Sequence, residues 1–290
     1  MNRALLSLFL LFGITFAQSP SSPSASDPWA ALTQAFGRAG KVQDGVYKVS
    51  FARSDLNVHI GRTKVLPAAG LGSWIALRSE GNEAVADGDL VLLGSEVAPV
   101  MSTLQGAGFE VTALHNHLIK EEPQVMYMHF FRRGDAVETA KTIHAALQQT
   151  KTPLGPAPQP SGSLPQQKTI EQILGKTGTT NGPVVAFSFP RSHSIEMHKA
   201  ALPPAMGMAT AINFQPSPEG VAATGDFVLR QREVQPVVKS LMGGGAIVTA
   251  IHNHLLDDEP HMVFVHFWME GSAEKVAQTM KSALNASEEK

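Results

Sequence analysis

From residue 28 onward, the apolar positions fall into blocks whose spacing switches between strand and helix. Pro28–Phe36 reads as a short helix leading into a strand at Val46–Ala52. Further strands fall near Ser73–Arg78 and Asp89–Leu93, which are rich in β-branched and aromatic residues. Val97–Gln105 reads as a helix with Pro99 in its first turn and Gly106 and Gly108 at its exit. Glu110–Leu118 and Val125–Arg132 read as two strands joined by a short acidic turn, and Ala136–Gln148 carries Val137, Ala140, Ile143, Ala146 and Leu147 at helical spacing. Strand, helix, hairpin, helix predicts an α+β fold, an antiparallel sheet with helices on one face.

The same pattern occurs twice. Ala113–Leu147 and Ala250–Leu284 align at a constant offset of 137, with 15 of 35 positions identical. The match extends upstream through Gly88-Asp89-Leu90-Val91-Leu92 and Gly225-Asp226-Phe227-Val228-Leu229. With one-residue gaps it reaches Ser50-Phe51-Ala52-Arg53 and Ser188-Phe189-Pro190-Arg191. Residues 29–150 and 168–286 are therefore read as two tandem copies of the sheet related by a pseudo-twofold duplication, each long enough for its own core. Residues 151–167, Pro/Gly/Ser-rich, read as an extended linker, and residues 287–290 as a tail.

Ahead of the copies, Ala4–Phe16 is an almost unbroken apolar run behind the positive charge of Met1–Arg3, and Thr15-Phe16-Ala17 ends it with small residues at the positions a signal peptidase reads. The run is shorter than the about 20 residues a membrane span needs. Residues 1–17 are thus expected to be a cleaved signal peptide and 18–28 a Ser/Pro-rich lead that cannot pack. The mature chain is expected to be periplasmic or secreted, with no transmembrane segment. Composition narrows the chemistry further: zero cysteine among 290 residues excludes disulfides, thiolate zinc sites and a lipidated N-terminal cysteine. A formal net charge of −2 argues against nucleic acid as a partner.

The candidate chemistry lies in the hairpin. His115-Asn116-His117 and His129 recur as His252-Asn253-His254 and His266. Alternation puts His115 and His117 on one face of their strand. Placing His115 opposite His129 brings the third imidazole to that face and leaves Lys120–Gln124 as a five-residue loop. Three imidazoles on one face, twice over, need partners if buried, and a divalent metal ion satisfies them. Zinc is the first expectation, and copper, nickel, manganese and iron bind the same donors. A polar core network of hydrogen-bonded histidines is the bland alternative. Glu122 and Glu259, five residues after the second histidine of each copy, are candidates for a fourth ligand or for a catalytic general base on metal-bound water, against a solvated turn carboxylate. Asn116 and Asn253 face away and read as hydrogen-bonding supports. Arg53/Arg191 and Asp89/Asp226 recur in both copies, either to orient a ligand or for structure. His59, His144, His193, His198 and His261 have no identical partner in the other copy and read as incidental.

His-x-His followed by glutamate is similar to the first cupin motif, except that the last histidine here comes from the adjacent strand. A His-x-His strand with a third histidine shortly after also resembles acetolactate decarboxylases, over the hairpin alone. Over nearly the whole mature chain, VYKVSFARSDL, ADGDLVLL and EVTALHNHLIKEEPQVMYMHF, duplicated as VVAFSFPRSH, ATGDFVL and IVTAIHNHLLDDEPHMVFVHF, resemble the LppY/LpqO-like family. That resemblance implies an exported bacterial protein of uncharacterised activity and supplies no catalytic residues. The expectation is an exported metal-binding protein with one three-histidine site per copy, extending to a metal-dependent hydrolase or lyase acting on an unknown small molecule. The alternative is a non-catalytic module that sequesters or senses metal, or binds a cell-envelope ligand.

Overall fold

The computed structural model describes residues 29–156 and 161–287. The expected signal peptide and lead, part of the linker and the end of the tail lie outside the described residues.

The first copy runs α1 (Ala30–Phe36), β1 (Lys41–Gln43), β2 (Val46–Ala52), β3 (His59–Ile60), β4 (Thr63–Lys64), α2 (Pro67–Gly70), β5 (Gly72–Glu80), β6 (Glu83–Leu93), α3 (Gly94–Gly106), β7 (Glu110–His115), β8 (Glu121–Glu122), β9 (Val125–Gly134) and α4 (Ala136–Leu147). The second runs α5 (Gln167–Leu174), β10 (Thr179–Asn181), β11 (Val184–Pro190), β12 (Glu196–Met197), β13 (Ala200–Ala201), β14 (Ala209–Ser217), β15 (Gly220–Arg230), α6 (Gln231–Gly244), β16 (Ile247–His252), β17 (Asp258–Glu259), β18 (Met262–Gly271) and α7 (Ala273–Ala286), with a 3-10 turn at Pro204–Met206. Each copy forms one six-stranded antiparallel sheet, in the orders β1-β2-β5-β6-β9-β7 and β10-β11-β14-β15-β18-β16. The α+β class and the duplication are as the sequence indicates.

Alternation along the strands gives each sheet two apolar faces. One packs on the copy's own helices: Phe51, Ile75, Leu90 and Phe130 meet α1, α3 and α4, and Phe187, Phe214, Phe227 and Phe267 meet α5, α6 and α7. The other faces the partner copy, so the molecule is layered helix, sheet, sheet, helix. Each copy also sends out an arm that covers its neighbour. The arm of the second copy carries Ile195, Met197, Leu202 and Met206 onto Val46, Ala76, Val85 and Phe131 of the first. The arm of the first carries Val58, Val65 and Leu71 toward Ala222 and Trp268 of the second. Two-residue strands hold these arms, β3 pairing with β4 and β8, and β12 with β13 and β17.

One local expectation changes, and one left open is decided. Helix α3 starts at Gly94, so Pro99 lies inside it and not in its first turn. The helix begins early because the Glu96 carboxylate reaches back to accept the Leu93 amide at 2.8 Å, closing the first turn. Arg53, fully buried, donates to that carboxylate at 2.7 Å, to Asp55 at 2.9 Å and to the Val91 carbonyl at 2.7 Å. Arg191 repeats the pattern with Glu233 at 2.8 Å and the Val228 carbonyl at 3.0 Å. These recurring arginines tie a sheet strand to a helix start. Among the described residues, no helix is long and apolar enough to cross a membrane.

Candidate metal centre

The two histidine hairpins meet between the sheets. His115 is the last residue of β7, His117 lies two positions on, and His129 sits in the middle of β9. The register differs from expectation by two residues: Ala113 pairs with His129, and His115 with Tyr127. Ala250 and His252 pair likewise with His266 and Phe264. An irregularity between Val111 and Ala113 shifts the ladder, and residues 116–124 form a longer connection because β8 is drawn off to pair with β3. A shift of two leaves side-chain parity intact, so His115 and His129 stay on one face, and the connection after β7 brings His117 beside His115, 5.0 Å between ring centroids.

The rings are held from behind. His117 stacks on Tyr127 at 3.5 Å between centroids and His254 on Phe264 at 3.6 Å. The Nδ1 atoms are occupied: those of His115 and His252 lie 3.2 and 3.0 Å from the carbonyls of Asn116 and Asn253, and that of His266 lies 3.2 Å from the Gly225 carbonyl. A carbonyl only accepts, so each of these Nδ1 atoms carries the proton and each Nε2 presents a lone pair. Asn116 and Asn253 support the turns by donating to the carbonyls of Leu118 and Leu255 at 2.9 and 2.8 Å. Gly225 sets the approach of β14 to β15, since a Cβ there would fall 1.9 Å from the Ala211 carbonyl oxygen.

The six imidazoles interleave across the copies. His115 lies over His252 at 3.7 Å, His117 over His266 at 3.9 Å and His129 over His254 at 3.8 Å. Two sets of nitrogen atoms gather within 4.8 Å of one another: His115, His117, His129 and His254, and His115, His252, His254 and His266. Each set is the expected trio of one copy plus one histidine of the other. The Nε2 atoms of His254 and His266 stand 3.4 Å apart. That is the edge of a tetrahedron of Zn–N bonds about 2.0–2.1 Å long. The Nε2 atoms of His115, His117, His129 and His252 are shielded from solvent and have no hydrogen-bond partner. Buried lone pairs facing lone pairs are costly, and a shared cation removes the cost.

Protonation gives no relief. Burial, reinforced by His252 nearby, pushes His115 down to about 3. Burial and neighbouring imidazoles hold His117, His129, His254 and His266 well below their ordinary value. Burial also lowers His252. All six are neutral donors at neutral pH, the form a metal takes.

Buried carboxyl groups lie alongside. The Asp89 carboxylate, 5% exposed, has Oδ2 3.7 Å from His117 Nε2 and Oδ1 3.8 Å from His129 Nε2. Burial, then Asp226 and Asp87, raise it well above the usual carboxylate range. Burial likewise raises Asp87 to about 8 and Asp226 to about 7, and lowers Lys48 to about 8 against the pull of these carboxylates. The Lys48 ammonium donates to the Ala205 carbonyl at 3.0 Å and stands 4.0 Å over the Trp74 ring.

Glu122 and Glu259 are exposed and stand outside both nitrogen sets, paired through the backbone with His59 and Glu196. Their neighbours Glu121 and Asp258 are the buried acids of the turns, accepting the amides of Val125 at 3.5 Å and Met262 at 2.7 Å. Outside the centre, His198 bridges the copies, 2.9 Å from Glu110 and 3.2 Å from Asp257. Sequence reasoning named Asp89 as a recurring residue that could orient a ligand but did not place it against the histidines, and it left out the interleaving of the two hairpins. Its position directly opposite His129 across β6 and β9 was the available signal for Asp89.

A sequence profile described as "Domain of Unknown Function (DUF1259)" matches residues 30–149 and again 168–286. No curated protein matches the chain. Two solved structures resemble it distantly. A trimeric bacterial microcompartment shell protein, PduB, is 11% identical, covering 86% of this chain and 90% of its own, with a TM-score of 0.23. EtuB from Clostridium kluyveri is 10% identical, covering 85% and 88%, with a TM-score of 0.21.

Proposed function

The chain belongs to the DUF1259 family, a domain of unknown function, and from that premise we propose that it is a metal-binding protein holding divalent ions between its two copies. The single observation that carries this reading is the set of four buried Nε2 atoms without hydrogen-bond partners inside two four-nitrogen groups. Zinc suits neutral imidazole donors at these separations, with copper and nickel as competitors. Each neutral Nε2 has one lone pair, so His115 and His254, common to both groups, can each serve one ion only. Two ions per chain therefore draw on His115, His117 and His129 and on His252, His254 and His266.

The donor atoms are shielded from solvent, which favours holding metal over presenting it to a large substrate. Sequestration or sensing of metal is thus the leading role. Export to the periplasm or beyond rests on the apolar run Ala4–Phe16 and its small-residue end. Hydrolase or lyase chemistry is the second reading, favoured by one observation: three imidazoles per ion leave a fourth coordination position for water or a substrate oxygen.

The test is elemental analysis of protein purified after metal-supplemented expression. About two ions per chain are expected, one in either His117→Ala or His254→Ala, and none in the double variant. A metal-free wild-type protein, or a double variant with full metal content, overturns the reading.

A further inference from the structure

The two copies do not surround their trios alike. In the first, the Asp89 carboxylate faces His117 and His129 at 3.7 and 3.8 Å. Those gaps are too long for hydrogen bonds and are of the size found between donors that share one ion. Asp89 Oδ1 is buried without a hydrogen-bond partner, as are Nε2 of both histidines; Oδ1 faces His129 and Oδ2 faces His117, so the carboxylate lies beside the first nitrogen group. In the second copy the matching carboxylate is Asp226. Among the described residues it makes no ion pair with any imidazole, although it sits opposite His266 across β15 and β18 as Asp89 sits opposite His129.

Building on the proposed metal binding, we infer that the two positions are chemically different: His115, His117, His129 and Asp89 make a closed, mixed nitrogen–oxygen site, whereas His252, His254 and His266 make a three-imidazole site with an open fourth position. The argument is one of charge and of donor count. An anionic oxygen in a buried site offsets part of a dication's charge, which three neutral imidazoles cannot do. With Asp89 as fourth donor, the first site has no need of His254, which stays with its own trio. The lone pair of His115 is then committed to the first site, so the second lacks a fourth protein donor. The ion of the first copy is held tightly, and that of the second exchanges and accepts small anions.

Cobalt(II), a spectroscopic stand-in for zinc, tests this in the full-length metal-free protein. Wild type is expected to take up two equivalents in steps at least tenfold apart in affinity, with azide perturbing the visible bands of the second equivalent only. Asp89→Asn should lose the tight step, Asp226→Asn should keep both, and His254→Ala should bind one equivalent that ignores azide. Equal affinities in wild type, the same loss in Asp226→Asn as in Asp89→Asn, or an azide response in His254→Ala would overturn the inference. The His254→Ala arm keeps it decidable if Asp89→Asn fails to fold. A wild-type protein binding no cobalt or zinc at all would instead defeat the underlying metal-binding proposal.

Discussion

The first and second copies share a sheet, a helix layer and a histidine trio, yet differ on the face where they meet. In the first, Lys48, Trp74 and Asp87 occupy that face, whereas the register puts Ala186, Ala211 and Thr224 at the matching places in the second. Tyr127 behind His117 becomes Phe264 behind His254. The Asn116 amide donates to the Thr249 carbonyl at 3.1 Å and the Thr249 hydroxyl to the His117 carbonyl at 2.5 Å, while the hydroxyl of Thr112, in the place of Thr249, is buried without a hydrogen-bond partner. A duplication thus keeps what every copy needs, the imidazoles and their supports. It frees the facing surface to diverge, because only one copy of each inter-copy contact is required.

Acid should have the largest effect, and it probes what the copies share. The histidines have folded-state values below the ordinary 6.5, so the unfolded chain binds more protons at low pH. Metal-free protein should lose stability as pH falls below about 6.5, and continue to lose it toward 3 as His115 is protonated. Asp87 works in the opposite sense and belongs to the first copy alone. Raised to about 8, it contributes stability at low pH that is lost as pH rises toward 8. Denaturant unfolding across this range, in chelator, should show Asp87→Thr flattening the loss on the alkaline side and steepening the acid limb, where Asp87 no longer offsets the histidines. An acid limb absent from wild type would contradict the burial of the six rings.

Removing a shared arginine comes next. Arg53→Met strands Glu96 beside a helix start and should cost about 3–5 kcal/mol, as broken buried pairs do. Arg191→Met should cost less, since Arg53 is the more deeply buried of the two. Urea unfolding of the two variants measures the difference, and an equal or larger cost for Arg191→Met would contradict a ranking by burial.

The smallest effect is expected from making the first copy more like the second. Tyr127→Phe deletes a hydrogen bond of 2.8 Å from the phenol to the Gly70 carbonyl and should cost about 1 kcal/mol. The ring still backs His117, so metal content should not change. A loss of metal would mean that the phenol, and not the ring face, positions the imidazole.

Much of this could be read along the chain. The offset of 137 marked the duplication, and the strand at Val46–Ala52 falls where its pattern put it. The shared face of His115 and His129 was legible through parity, which survives the two-residue register shift, whereas His117 lies beyond the end of the strand that was expected to carry it. The arms were not legible, because strands of two residues such as His59–Ile60 carry no periodic signal. Glu122 and Glu259 stood out by spacing from His117 and His254, yet the pairing of β8 with β3 and of β17 with β12 leaves them exposed. Asp89 was marked by its recurrence as Asp226, with orienting a ligand and a structural role both open, and its proximity to His117 depends on how the connection after β7 folds back.

Local pattern by itself determined the longer strands and helices, the repeat and which strand side chains share a face, since each depends on residues close in sequence or on a strict period of two. Only the tertiary structure decided that the two trios interlock, that each four-nitrogen group includes one histidine of the other copy and that the Asp89 carboxylate lies against the first trio. Those relations arise from packing one sheet against the other, and the distances between facing side chains are set by the whole interface and not by any stretch of chain.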